Sequence, residues 1–290
     1  MLRGIFYILI SSLSISIMGV FIREIGTGLP NSTILFSRFL FSFIVILPIA
    51  LKDKEFHFKV NKPLILLSRC SVGLIAMSLF FYAIQHVHLA NVMLLQNTRP
   101  IFVPIIIFML TREKTGKNVI LAILISFIGI ALVINPTVGG FNPIAIFALL
   151  SGFFSAAAII LLQMFMKQNN NRAKEALFYY FLFSTIVTSI IMMFNWVTPS
   201  PHQILLLLCV GFFGTFYQLF MTISLKYIPV KIAAPLMYFS VIFAGILGWL
   251  VFGQSITFMT LSGIIIAILG SVFVIYFNNR EVDISHPSKN

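Results

Sequence analysis

Apolar residues run along this chain in long stretches, and what interrupts them is short. A helix needs about 20 apolar residues to cross the hydrocarbon core of a bilayer, so each run of that length reads as a span. Ten such runs emerge, over approximately 3–22, 31–51, 64–85, 90–111, 118–135, 142–163, 177–195, 203–225, 231–252 and 256–277. The gaps carry helix-ending signals, among them Gly28-Leu29-Pro30-Asn31, Asn135-Pro136, Gly139-Gly140 and Thr198-Pro199-Ser200-Pro201. The longest gaps, 52–63 and 167–176, are too short to fold alone, so no soluble domain is expected. The first run follows Arg3 as a secretory signal would. It is long for such a segment, however, and Arg23-Glu24 follows it rather than a small-residue cleavage site, so it is read as the first span.

Span spacing repeats at about 141 residues, as from Ser14 to Ser155, Gly73 to Gly214 and Gly129 to Gly270. Phe39-Leu40-Phe41-Ser42 likewise recurs as Phe181-Leu182-Phe183-Ser184. Each copy holds five spans, an odd number, so the second must enter the membrane from the opposite side. The predicted fold is an all-α integral membrane protein of ten transmembrane helices in two inverted five-helix repeats. The first repeat covers 1–139, the second 140–278, and a cytoplasmic tail 279–290.

Composition agrees: 60% of residues are hydrophobic and 9% charged, against about 25% charged in soluble domains. The net charge of +12 does not indicate nucleic acid, because Lys and Arg sit in the gaps and form no basic face. Their placement instead sets orientation, since positive residues are retained in the cytoplasm. Fifteen fall in one set of alternate gaps and termini, from Arg3 through Lys52, Arg112, Lys167 and Lys226 to Lys289, and one, Arg23, falls in the other. The expectation is a multi-pass protein of the cell inner (plasma) membrane with both termini cytoplasmic.

Ionisable groups within a span are costly, so each is a candidate for function. Arg99 lies about 13 Å from the outer end of the fourth span at 1.5 Å per residue, close to the midplane. Gln96 and Asn97 precede it, and Pro100 and Pro104 follow it, removing backbone hydrogen bonds where the helix can open. The repeat offset sets Tyr238 opposite Asn97 and Ser240 opposite Arg99, with Pro235 close by. Tyr217, Gln218 and Tyr82 are further candidates for the same cavity. Arg38 in the second span is assigned a structural or gating role, as are Pro100, Pro104 and Pro235; Arg69 is read as a positive-inside anchor. None of the seven carboxylates falls mid-span, so no buried carboxylate proton relay is expected. Cys70 and Cys209 lie inside apolar runs without a CxxC, and neither a metal site nor a cofactor is indicated.

Arg38-Phe39, the stretch Phe81-Tyr82-Ala83-Ile84 leading into Leu89-Ala90-Asn91, and the Pro100 to Glu113 segment resemble the drug/metabolite transporter superfamily, specifically its EamA-type members. The likeness runs over nearly the whole chain. It departs at Arg112-Glu113 and Gly253-Gln254, where the family usually has Gly-Glu. The resemblance implies a secondary transporter, not an enzyme, carrying a small metabolite by alternating access. Amino-acid-like or S-adenosylmethionine-like cargo with an anionic group is expected, with Arg99, Gln96, Asn97, Tyr238, Ser240, Tyr217, Gln218 and Tyr82 binding it. Its partners are that substrate and the lipid bilayer, with a homodimer left open. The alternatives are an intramembrane enzyme on a lipid or isoprenoid, for which no paired base and nucleophile is present, and a passive channel.

Overall fold

The computed structural model describes the chain apart from residues 1, 54, 55, 57, 59, 112–116, 135–142, 170, 171, 229–232, 234, 235, 255, 256 and 286–290. Among the described residues the secondary structure is helical, with no strand. In chain order the helices are α1 (Leu2–Ile25), α2 (Asn31–Lys52), α3 (Pro63–His86), α4 (Leu89–Gln96), α5 (Arg99–Thr111), α6 (Lys117–Ile134), α7 (Ala145–Gln168), α8 (Ala173–Met193), α9 (Pro201–Tyr227), α10 (Phe239–Phe252) and α11 (Phe258–Ser285). The start of α9 shows why an element begins where it does. Ser200 accepts from the Gln203 N–H, the Gln203 side chain accepts from the Ser200 N–H, and Pro201 sits where no N–H is needed.

Among the described residues, six helices are long and apolar enough to cross a membrane: α1, α2, α3, α7, α8 and α9. The fourth expected span is not one continuous helix. It is broken into the 8 residues of α4 and the 13 of α5 by a turn at Asn97-Thr98. Pro100 has no N–H for the Gln96 carbonyl one turn back, and the Asn97 and Thr98 side chains donate to the carbonyls of Met93 and Leu95, beside the Asn97 and Thr98 N–H groups. A second turn, at Met237-Tyr238, precedes α10.

The core is built from helix pairs. α1 runs along α9, α3 along α7, α2 along α8, α4 beside α10 and α7, and α6 along α11. Small residues allow the closest of these approaches. Ser11 donates to the Tyr217 carbonyl of α9 at 2.9 Å, and Ser16 to the Ser240 carbonyl of α10 at 2.9 Å. Between α6 and α11 the backbones themselves touch. A Cβ on Gly129 would stand 2.3 Å from the Ala267 nitrogen, and one on Gly270 2.7 Å from the Ser126 nitrogen.

Both ends of the bundle are tied. At one, Arg23 donates to the carbonyls of Ile84 and Val87 at 3.0 and 2.9 Å, Gln85 reaches Gly26 and Leu29, and Gln254 accepts the Leu89 N–H at 3.2 Å. At the other, Asn169 and Asn61 exchange two hydrogen bonds of 2.8 and 3.2 Å, and Lys174 pairs with Asp53.

Candidate functional site

Arg99 opens α5 immediately after the break and is 3% exposed. Its Nη1 donates to the Met237 sulfur at 3.0 Å and its Nη2 to the Tyr217 hydroxyl at 3.4 Å, while Nε has no partner. A thioether and a phenol are weak, neutral acceptors for a group that remains charged in any protein environment. The guanidinium borders a cavity of about 30 Å³ lined also by Arg69, Gly73, Ala76 and Met77 of α3, Ser155, Ala158, Ile159 and Leu162 of α7, Tyr180 of α8, and Tyr217, Gln218 and Met221 of α9. No carboxylate is among these described lining residues. A volume of that size takes a water or two, whereas a site closed around a metabolite needs about 300–1,000 Å³.

Of the residues expected from the sequence, Arg99, Tyr217 and Gln218 come together at this cavity. Gln96, Asn97, Tyr238 and Ser240 are buried nearby at the two chain breaks but do not line it. Asn97 Nδ2 donates to Ser240 Oγ at 2.7 Å, and the Gln96 and Asn97 side-chain oxygens have no partner. Tyr82 stands apart, 37% exposed, its ring against His86 and Phe147. Arg38 is fully buried, its guanidinium 4.4 Å over the Phe39 ring, donating from Nη2 to the Gly214 carbonyl at 3.5 Å. Pro235 lies outside the described residues, as do the side chains of Pro100 and Pro104.

Arg69 and Tyr180 line the cavity without having been assigned to it from the sequence. Arg69 does not reach for the membrane surface: it is 6% exposed, lies 4.4 Å over the Tyr180 ring, and leaves Nε and Nη1 without partners. Its guanidinium fills the space in front of Gly73, where a Cβ would stand 2.2 Å from Nη1. Tyr180 is held in turn by its hydroxyl donating to the Gly73 carbonyl at 3.3 Å and by the edge of Phe39. The available signal was a glycine one turn after an arginine, which lets a long side chain lie inward along the helix. A separate apolar groove of about 710 Å³ opens between the beginning of α3 and α8, lined by Leu66, Leu67, Cys70, Tyr179 and Phe183 among others.

The model of the EamA-like transporter family matches the chain twice, over residues 2–135 and 142–276. The chain belongs to the EamA-like transporter family. This EamA-like transporter is 24% identical over 288 residues to an S-adenosylmethionine uptake transporter of Rickettsia prowazekii, covering 99% of this chain and 97% of the relative. It is 23% identical over 272 residues to the pseudopaline exporter CntI of Pseudomonas aeruginosa, with coverage of 93% and 94%. A solved crystal structure shares the fold at a TM-score of 0.65 and 14% identity, over 97% of this chain and 98% of that one. The protein is thus a multi-pass membrane protein and a secondary transporter of a small metabolite.

Proposed function

We propose that this EamA-like transporter works in the cell inner membrane by alternating access, with both termini cytoplasmic, and that Arg99 holds an anionic group of its substrate. The observation that carries the reading is a guanidinium 3% exposed at a helix break, bonded among the described residues to a phenol and a thioether, on a cavity without a described carboxylate. A planar cationic fork of this kind matches a carboxylate or phosphate.

The two-repeat organisation, 1–139 and 140–278, is supported by the pairing of helices. Exchanging the spans of one half for those of the other turns the α1–α9 pair into α7–α3 and leaves α2–α8, α4–α10 and α6–α11 as they are. The breaks at Asn97-Thr98 and Met237-Tyr238 fall at corresponding places, as expected for a central site between inverted repeats. With both ends tied and the cavity contracted, the conformation fits an occluded point of the cycle, from which either set of ties is released to admit substrate. The cargo is a small metabolite with an anionic group, amino-acid-like or S-adenosylmethionine-like as the relatives' names suggest.

Uptake by the purified protein in proteoliposomes, across a panel of anionic metabolites, tests this. Saturable and competable uptake lost in Arg99→Ala supports it. Wild-type uptake by a correctly inserted Arg99→Ala protein shows instead that Arg99 only clips helices together.

A further inference from the structure

Resting on that reading of Arg99, we infer that Arg69 is a second anion contact and that the transported molecule presents a dianionic tetrahedral oxyanion, a phosphoryl group, to the pair. Arg69 comes from α3 and Arg99 from α5, yet both border one cavity of about 30 Å³. Lining the same cavity, the two arginines can meet a single occupant.

Both are more than nine-tenths buried, and between them Arg69 Nε, Arg69 Nη1 and Arg99 Nε have no partner. Arg38 adds a third buried charge behind them, with Nε and Nη1 also unpartnered. The rings of Tyr180 and Phe39 lie against the faces of Arg69 and Arg38, which offsets part of the charge but leaves the N–H edges unserved. A single carboxylate offers two oxygens and one charge, enough for one fork. A phosphoryl dianion offers three oxygens and about two charges, enough for two forks from different helices.

The aim of Arg69 is fixed by Gly73. A Cβ there would meet Nη1 at 2.2 Å and the Tyr180 ring at 3.1 Å, so only glycine lets the guanidinium lie inward beside the ring. An arginine serving merely as a cytoplasmic anchor would turn toward water, as long basic side chains near span ends do. Among amino-acid-like molecules, the site therefore selects those with a phosphoryl head over those with one carboxylate.

The full-length protein, purified in detergent, tests this by thermal unfolding with inorganic phosphate, sulfate or acetate at equal ionic strength. Phosphate and sulfate should protect well and acetate weakly. Acidifying until phosphate is monoanionic should weaken phosphate and leave sulfate unchanged. Arg69→Gln should weaken phosphate by about tenfold while sparing the acetate effect. Gly73→Ala, which keeps every charge and pushes chiefly on the guanidinium and less on the Tyr180 ring, should do the same and decides the matter if Arg69→Gln does not fold. Phosphate protecting no better than acetate, or binding unchanged in both variants, overturns the role of Arg69. In that event, loss of acetate protection in Arg99→Gln leaves the reading of Arg99 standing. If no anion protects the wild type, or if Arg99→Gln binds every probe normally, both proposals fall.

Discussion

Asn97 donates through Nδ2 to Ser240 Oγ at 2.7 Å, joining the residue that ends α4 to the second residue of α10. The bond crosses from one half of the chain to the other where both are interrupted. Ser240 continues it, donating to the Met237 carbonyl at 2.7 Å and accepting at its own carbonyl from Ser16 of α1 at 2.9 Å. Three spans thus meet through side chains that also bond carbonyls of their own turns.

Removing that junction should loosen the protein measurably without unfolding it. Ser240→Ala takes away one acceptor of Asn97 Nδ2, which keeps the Met93 carbonyl as its other. The expected loss is about 1 kcal/mol, the net worth of one buried hydrogen bond, read as a lowered midpoint in thermal unfolding. An unchanged midpoint would mean that the junction contributes nothing to stability.

Closure at the end formed by Asn61 and Asn169 should depend on their two mutual bonds. Asn169→Ala deletes both, worth about 1 kcal/mol each, so the population opened at this end should rise roughly 30-fold. Cys70, 2% exposed on α3 and bordering the apolar groove, reports it. With Cys209 replaced by Ser, maleimide labelling of Cys70 should speed up in Asn169→Ala. Equal rates would place the closing contacts elsewhere.

Transport should not be driven by protons through a carboxylate. None of the seven Asp and Glu residues is mid-span in the sequence, and Asp53 is engaged with Lys174 at a helix end. Exchange or facilitated diffusion is expected, so an imposed pH gradient should leave initial uptake into proteoliposomes unchanged. Strong stimulation that vanishes when one titratable residue is replaced would contradict this.

Gly214 presses on Arg38: a Cβ there would sit 2.8 Å from Arg38 Nε and 3.0 Å from the Met18 sulfur, both in side chains rather than backbone. Gly129 presses instead on the backbone of α11. Gly129→Ala should therefore cost more stability than Gly214→Ala, with about 1–3 kcal/mol expected for forcing extra atoms into a filled site. Comparing their unfolding midpoints checks the order.

Six of the spans were legible because bilayer thickness imposes a length that any apolar run must meet, and the burial of Arg99 was legible because its distance from both span ends leaves no route to water. Arg69 was misread for the same reason. Counting residues gives depth, and six places past Pro63 looks shallow, but counting does not tell which way a long side chain lies. Gly73 and the Tyr180 ring turn it inward, and that pairing joins α3 to α8 across more than a hundred residues of chain. Tyr82 failed to join the cavity for a complementary reason: its position at the outer part of α3 was right in number but faced His86 and Phe147. The fourth and ninth spans looked continuous by hydropathy, since a turn made of buried Asn, Thr, Met and Tyr hardly lowers it.

Where Gly129 and Gly270 cross, α6 and α11 have no side-chain layer of their own between the backbones to slide on. A layer of side chains can exchange rotamers and so act as a bearing, whereas backbone against backbone behaves as a weld. The last spans of the two halves therefore form a fixed post at the edge of the bundle. Whatever tilts to expose the arginines must pivot among α1 to α5 and α7 to α10, with the ends of the chain's two halves standing still.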